Sequence, residues 1–325
     1  MNTIVCRPET SELLNYMLLA LFQTMQITAV SAPSVDAKIH QRIDTDVRSA
    51  LNGIQTIPGK FAVNHSPWFA FNDKKIITPC VVNQAHFISG NFQRNLELLG
   101  WHKEKVLFNQ TIDAFLEISS TPIQSIRIPK DQFANFFSEY IKTNEARIAQ
   151  ENNEPLDAIF SRLYHSLATR STIAHRDSFD ENLQSYFVQA PAQTNFRVGL
   201  EFETGNISSS FRAIQKLKLL YTRGHIDAGV FVTSIDKKSC SCRIWPSSNR
   251  NGSFEELGQR NYTADITFPF WGYGFAPDLL DVNAPYLGSH GSTYQPINTN
   301  RILENGSVSY EVWKGQGDKE ILRRI

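Results

Sequence analysis

The chain has 325 residues, 41% of them hydrophobic, enough to bury a sizeable core as one large domain or two smaller ones. Its 32 lysines and arginines balance 32 aspartates and glutamates, so net charge points to no partner, and a nucleic-acid binder must gather its basic groups locally. Cys6, Cys80, Cys240 and Cys242 are too few for a disulfide scaffold. The Cys240-Ser-Cys242 pair also lacks the second pair a zinc site needs, so free thiols are expected.

A first helix is expected after Pro8. Its apolar run, LLNYMLLALFQTM, is shorter than the ~20 residues that cross a bilayer. It has neither the basic flank nor the cleavage pattern of a signal peptide, so a buried amphipathic helix in a cytoplasmic protein is expected. A second helix is expected from Ser34 as N-cap, with Val35, Ile39, Ile43, Val47, Leu51 and Ile54 as its buried stripe and Gly53 near its end. Residues 58–130 read as mixed, with FQRNLELLGW a short helix stopped by Gly100.

Phe133, Phe136, Phe137, Tyr140, Ile141 and Ile148 repeat at helical spacing over 131–150. ENNEP breaks that helix, and another follows from Pro155 to about Thr169. After residue 240 the chain is rich in Gly, Pro, Asn and Ser, which predicts long loops and short strands. No repeat or low-complexity linker occurs. The expected organisation is a mostly helical part over 1–130 and a core over 131–325 with a loop-rich C-terminal region, as two parts or joined in one compact domain.

The most informative stretch begins at residue 196. Phe196, Val198, Leu200 and Phe202 alternate with Arg197, Gly199, Glu201 and Glu203, a period of two that predicts a strand with one buried face. Both carboxylates then lie on the same side, about 7 Å apart at ~3.3 Å per residue, with Gly199 leaving space for a ligand. Phe211, Ile214, Leu217 and Tyr221 predict a helix ending near Gly224, and Ile226 to Ser234 a second apolar strand. A Glu-x-Glu pair at the end of a core strand can hold Mg²⁺ through its carboxylates and the intervening Phe202 carbonyl, while the second carboxylate orients or deprotonates a water. The plainer alternative is a solvated strand face.

Other features weigh less. HRDSFDEN, residues 175–182, has the spacing of a protein-kinase catalytic loop, but the Gly-rich loop, strand lysine and Asp-Phe-Gly of kinases do not accompany it. It reads as a polar loop able to bring acids towards Glu201. His225 reads as a surface turn residue. Lys216 and Lys218 flank Leu217 on the helix; at most one can lean towards DNA, and a solvated face is the alternative. Lys237, Lys238, Arg243 and Arg250, with Ser247, Ser248 and Asn249, form a basic, polar loop region suited to phosphate and base-edge contact. FPFWGYGF, residues 268–275, reads as core or interface packing rather than as a base-stacking platform.

The stretch RVGLEFETGN, followed by FRAIQKLKLLY and IDAGVFV, resembles the core of the BglII/BstYI-type type II restriction endonucleases. Their signature is an Arg- or Leu-Val-x-x-Glu-x-Gln-Phe strand, a turn, an amphipathic helix and an Ile-Asp-x-Gly-Val strand. NFQRNLELLGW is a weaker echo of a helix ending in Gly-Trp in those enzymes. The resemblance implies an α/β restriction-endonuclease-like core, a mixed sheet flanked by helices, of the PD-(D/E)xK kind. It also implies Mg²⁺-dependent, sequence-specific hydrolysis of double-stranded DNA by a homodimer, around a GATC core in BglII-type enzymes.

Within that pattern Glu201 falls on the acidic metal ligand. Glu203 falls on the third motif position, usually Lys, a Gln in BglII-type and a Glu in BamHI-type enzymes. Asp227 matches the aspartate of Ile-Asp-x-Gly-Val and is expected to be structural. The family's first metal-binding aspartate stands nine residues before the glutamate, where this chain has Ala192. Asp180, ahead of Asp177 and Glu181, is the expected replacement, giving Glu201, Asp180 and the Phe202 carbonyl as metal ligands. If no acid replaces it, the core is an inactive, DNA-binding one. A metal-dependent hydrolase of RNA or nucleotides is the reading from a further class.

Overall fold

The computed structural model describes residues 27–29, 35–123, 125–151, 156–168, 171–172, 176–190, 193–203, 207–235, 254, 266, 268–289 and 291–325. The helix expected after Pro8 and the basic loop with Lys237, Lys238, Arg243, Asn249 and Arg250 lie outside these residues.

Six strands form the central sheet: β1 (Ile27–Ala29), β2 (His102–Leu107), β3 (Gln110–Ile123), β4 (Gln193–Glu203), β5 (Ala228–Ser234) and β6 (Phe270–Phe275). Their order is β1-β6-β5-β4-β3-β2. The pairs β4–β5 and β5–β6 are parallel, while β1–β6, β3–β4 and β2–β3 are antiparallel. The sheet is mixed, as the resemblance implies. Half of its strands come from before residue 130, so the first 130 residues build the core rather than a separate helical part.

Helices cover both faces. On one side lie α1 (Ala37–Asn52) and α2 (Ala85–Leu98). Ile39, Ile43, Val47 and Leu51 of α1 are buried at the predicted spacing, and with Phe87, Ile88, Phe92 and Leu96 of α2 they pack on Leu116, Val198, Leu200, Val230 and Tyr273. The N-cap of α1 is Asp36, whose carboxylate accepts the Lys38 amide at 2.7 Å; Ser34 lies outside the described residues. Helix α2 begins earlier than FQRNLELLGW and ends, as expected, before Gly100, whose φ of +91° suits glycine.

Among the described residues four further helices follow: α3 (Phe133–Glu151), α4 (Leu156–Leu167), α5 (Glu181–Gln184) and α6 (Ile207–Thr222). Helix α6 connects the parallel strands β4 and β5 and covers the second face. Ile214, Leu217 and Leu220 pack there with Ile112, Phe115, Phe231 and Phe270. The expectation of one buried face for β4 is therefore corrected: parallel strands are buried on both sides, because the crossover helix returns over the sheet. Nor is Gly199 an opening for a ligand. A Cβ there would stand 3.2 Å from Ile226 and 3.3 Å from Leu217, so the glycine admits core side chains instead.

Asp227 is structural, as expected. Its carboxylate accepts the Arg197 amide at 2.9 Å and Arg197 Nε at 3.3 Å, and its own amide donates to the Arg197 carbonyl at 2.7 Å, tying the entry of β5 to β4. The aromatic run 270–275 is wholly buried as β6, so it packs the core.

Between β3 and β4, themselves antiparallel neighbours, the chain leaves the sheet. It forms a unit with its own core of Phe133, Phe136, Tyr140, Ile159, Leu163 and Leu183, and a small sheet of Ser125–Arg127, Ser171–Thr172 and Val188–Gln189. The C-terminal part has the expected short strands at Leu279–Leu280, Tyr286–Leu287 and Thr293–Tyr294, but beyond them it departs from expectation. Ile297–Asn305, Val308–Lys314 and Glu320–Arg324 join Trp68–Phe71 and Ile77–Cys80 in a five-stranded antiparallel sheet where long loops were expected. Its signal was the alternation in VSYEVWK, which the turn-forming residues around it obscured. Among the described residues no helix is long and apolar enough to cross a membrane.

Candidate active site

Glu201 lies in the part of β4 that pairs with β5, opposite Phe231. On the other side, the β3–β4 register runs Val198↔Leu116, Gly199↔Phe115, Leu200↔Ala114 and ends there, one residue short of Asp113 on β3 and Glu201 on β4. The ladder is not continued by backbone here. Instead Asp113 Oδ2 accepts the Phe202 amide at 2.7 Å, although the two residues lie 89 positions apart in the chain. Since N–H and C=O of one strand residue point to the same edge, the Phe202 carbonyl faces the Asp113 side too. The Phe202 ring is fixed between Phe92 (5.0 Å) and Phe275 (5.3 Å), which holds the backbone that presents both carboxylates.

The glutamate is 5% exposed. Burial pushes its carboxyl up to about 8, the Asp113 charge adds to this, Lys216 opposes it and Glu203 adds a little more. Asp113 is raised too, first by burial; the Phe202 amide and Lys216 oppose the rise, and Glu104 adds to it. Glu203 follows on the same face by strand alternation, partly buried and opposite Thr233 of β5.

Lys216 reaches into this site from α6. Its Nζ is 2.7 Å from Glu201 Oε1 and donates to the Thr111 carbonyl at 2.8 Å. Oε1 is within ion-pair distance of Nζ although it is buried outside the alignment of an ordinary hydrogen bond. Charge attraction needs no particular angle, so the contact is a point-charge pair.

Asp180, the expected third carboxylate, stands at the N-terminus of α5 in the inserted unit, where its side chain makes no capping hydrogen bond. The charged groups acting on Glu201 are Asp113, Lys216 and Glu203. Asp177 pairs with Arg176 at 2.6 Å, and Glu181 lies in the first turn of α5. Sequence spacing missed Asp113, whose only local signal is a lone acid inside the apolar strand TIDAFL. Lys218 is partly buried, and His225 sits 5.3 Å from the Phe108 ring, in the turn expected for it.

Among the described residues no three carboxylate, imidazole or thiolate groups form a closed metal cage. Two converging carboxylates, a carbonyl on the same edge and a buried carboxylate oxygen without a hydrogen bond are nevertheless hard oxygen donors that fit a divalent cation. Such a cation would offset the burial that raises both acids and the Asp113 charge that raises Glu201 further.

A mixed sheet between helices, with acids on adjoining strands and a strand–helix–strand crossover behind them, defines a restriction-endonuclease-like α/β core. The family model described as "Restriction endonuclease BamHI" matches residues 22–265, and the chain belongs to this family. It is 34% identical over 103 residues to the "Type II restriction enzyme BamHI" of Bacillus amyloliquefaciens, an alignment covering 31% of this chain and 46% of that protein.

Proposed function

We propose that the chain is a type II restriction endonuclease, hydrolysing phosphodiester bonds of double-stranded DNA at a specific sequence with Mg²⁺. One observation carries the reading: Asp113 and Glu201 meet on adjacent strands in a chain of this family. Asp113 takes the role expected of Asp180, so Ala192 no longer argues for an inactive core. Glu201, Asp113 and the Phe202 carbonyl would hold the metal. When bound, Mg²⁺ polarises the phosphoryl oxygen and stabilises the growing negative charge. Glu203 would orient the attacking water and accept its proton, as the water oxygen bonds to phosphorus, one P–O ester bond breaks and the departing sugar oxygen takes a proton from solvent.

The strand–helix–strand motif relates this core to BglII/BstYI-type enzymes. The glutamate at 203 instead matches the BamHI-type third position and agrees with the family. Two copies around a twofold axis would read a palindrome. Lys218 and the basic region with Lys237, Lys238, Arg243, Asn249 and Arg250 supply DNA contacts in this reading, while Lys216 is committed to Glu201.

Incubation of the protein with long, sequence-diverse duplex DNA and Mg²⁺ should give discrete fragments whose ends share a sequence. Glu201→Ala and Asp113→Ala should each lower the rate at least about a hundredfold, while Asp180→Ala leaves it within about twofold. Loss of cleavage in Asp180→Ala, with Asp113→Ala active, would overturn the assignment. Intact DNA under several metals, with binding confirmed, would favour a DNA-binding protein of nuclease ancestry.

A further inference from the structure

Two carboxylates turned towards each other inside a protein need a positive group between or beside them. Among the described residues, the cation acting on both Asp113 and Glu201 is Lys216. Its ammonium is held at two points, 2.7 Å from Glu201 Oε1 and 2.8 Å from the Thr111 carbonyl on β3. The neighbouring basic groups are engaged elsewhere: Arg197 with Asp227 and the Gly224 carbonyl, Arg212 with Ser209.

We propose that Lys216 is a tethered counter-ion that competes with the catalytic metal for Glu201 and is displaced when the metal binds. The inference rests on the metal-site reading above. A divalent ion bonded to Oε1 at about 2.1 Å and an ammonium 2.7 Å from the same oxygen would stand only about 4 Å apart, so the two positive charges oppose each other for Glu201. The attachment is built for release. Oε1 is buried and its contact with Nζ falls outside the alignment of an ordinary hydrogen bond, so the pair is weakly directed. The lysine stem is flexible and starts from α6 rather than from the strands that carry the acids, so the ammonium can leave without disturbing β3 or β4. The lysine stabilises the paired acids until a divalent ion replaces it, and it lowers the apparent metal affinity by the work of its own removal.

The test is calorimetric titration of Mg²⁺ and of Ca²⁺ into the DNA-free full chain, alongside thermal unfolding with and without each ion. Lys216→Met, which keeps an apolar stem without charge, should bind the ions about tenfold more tightly. It should melt lower than wild type without metal and recover with metal by a larger margin. Lys216→Gln, able still to donate to the Thr111 carbonyl, gives the same comparison should the methionine variant fail to fold. Lys319→Ala, an exposed lysine far along the chain from the site, should match wild type. Wild type that binds the ions while both Lys216 variants bind them equally or more weakly overturns this proposal alone. No divalent binding by wild type or variants overturns the metal-site reading with it.

Discussion

Asp113 and Glu201 show how the fold changes the chemistry of single residues. In water either acid is ionised at neutral pH; facing each other out of solvent, both are raised, and Glu201 reaches about 8. A carboxyl whose folded value lies above its unfolded one stabilises the fold below the unfolded value, 4.5, and loses that contribution as pH rises towards 8. Metal-free protein should therefore lose stability between about pH 5 and 8, by about 3 kcal/mol from this group. Glu201→Gln should flatten that slope, and saturating Mg²⁺ should reduce it in wild type. Urea unfolding across this pH window measures it. An unchanged slope in Glu201→Gln would show that the carboxyl titrates normally.

Elements matter here through their neighbours. Strand β4 gets its carboxylate partner from β3, and its second buried face from α6, which the same stretch of sequence supplies. The closeness of that helix is set by glycines: a Cβ on Gly229 would stand 2.9 Å from the fully buried Phe268 ring and 3.3 Å from Leu217. Gly229→Ala should cost about 1–3 kcal/mol by overpacking, read as a lower midpoint in denaturant. Ile302→Ala, on the edge strand of the C-terminal sheet and 55% exposed, should cost under about 0.5 kcal/mol. Equal losses would mean that α6 shifts freely to make room. The unit inserted between β3 and β4 explains why Asp113 lies so far from Glu201 in the chain yet beside it in space. An antiparallel pair tolerates any length of connection that leaves and returns at the same end, since the closure cost grows slowly with length.

The whole chain joins a family core over 22–265 to a C-terminal antiparallel sheet that takes two strands from within that core, Trp68–Phe71 and Ile77–Cys80. Deleting the last 30 residues should therefore destabilise the core as well as remove the sheet. On the proposed function two copies act on a palindromic site. Sedimentation equilibrium should give a dimer of the 36.9 kDa chain, with or without duplex DNA. A monomer under both conditions would contradict the twofold reading.

Local pattern determined a good part of this protein. The period of two across 196–203, the helical spacing after it and the apolar return strand placed Glu201, Glu203 and the crossover correctly, because side-chain direction follows directly from strand and helix geometry. The stripes of α1 and α3 were legible for the same reason, and α4 from the break that precedes it. Only the tertiary structure decided which acid joins Glu201, that Gly199 is filled by core side chains, that Lys216 turns inwards, and that the C-terminal residues make a sheet. Each of these depends on a partner far away in sequence, and β-pairing and burial are contacts between segments that no local spacing records.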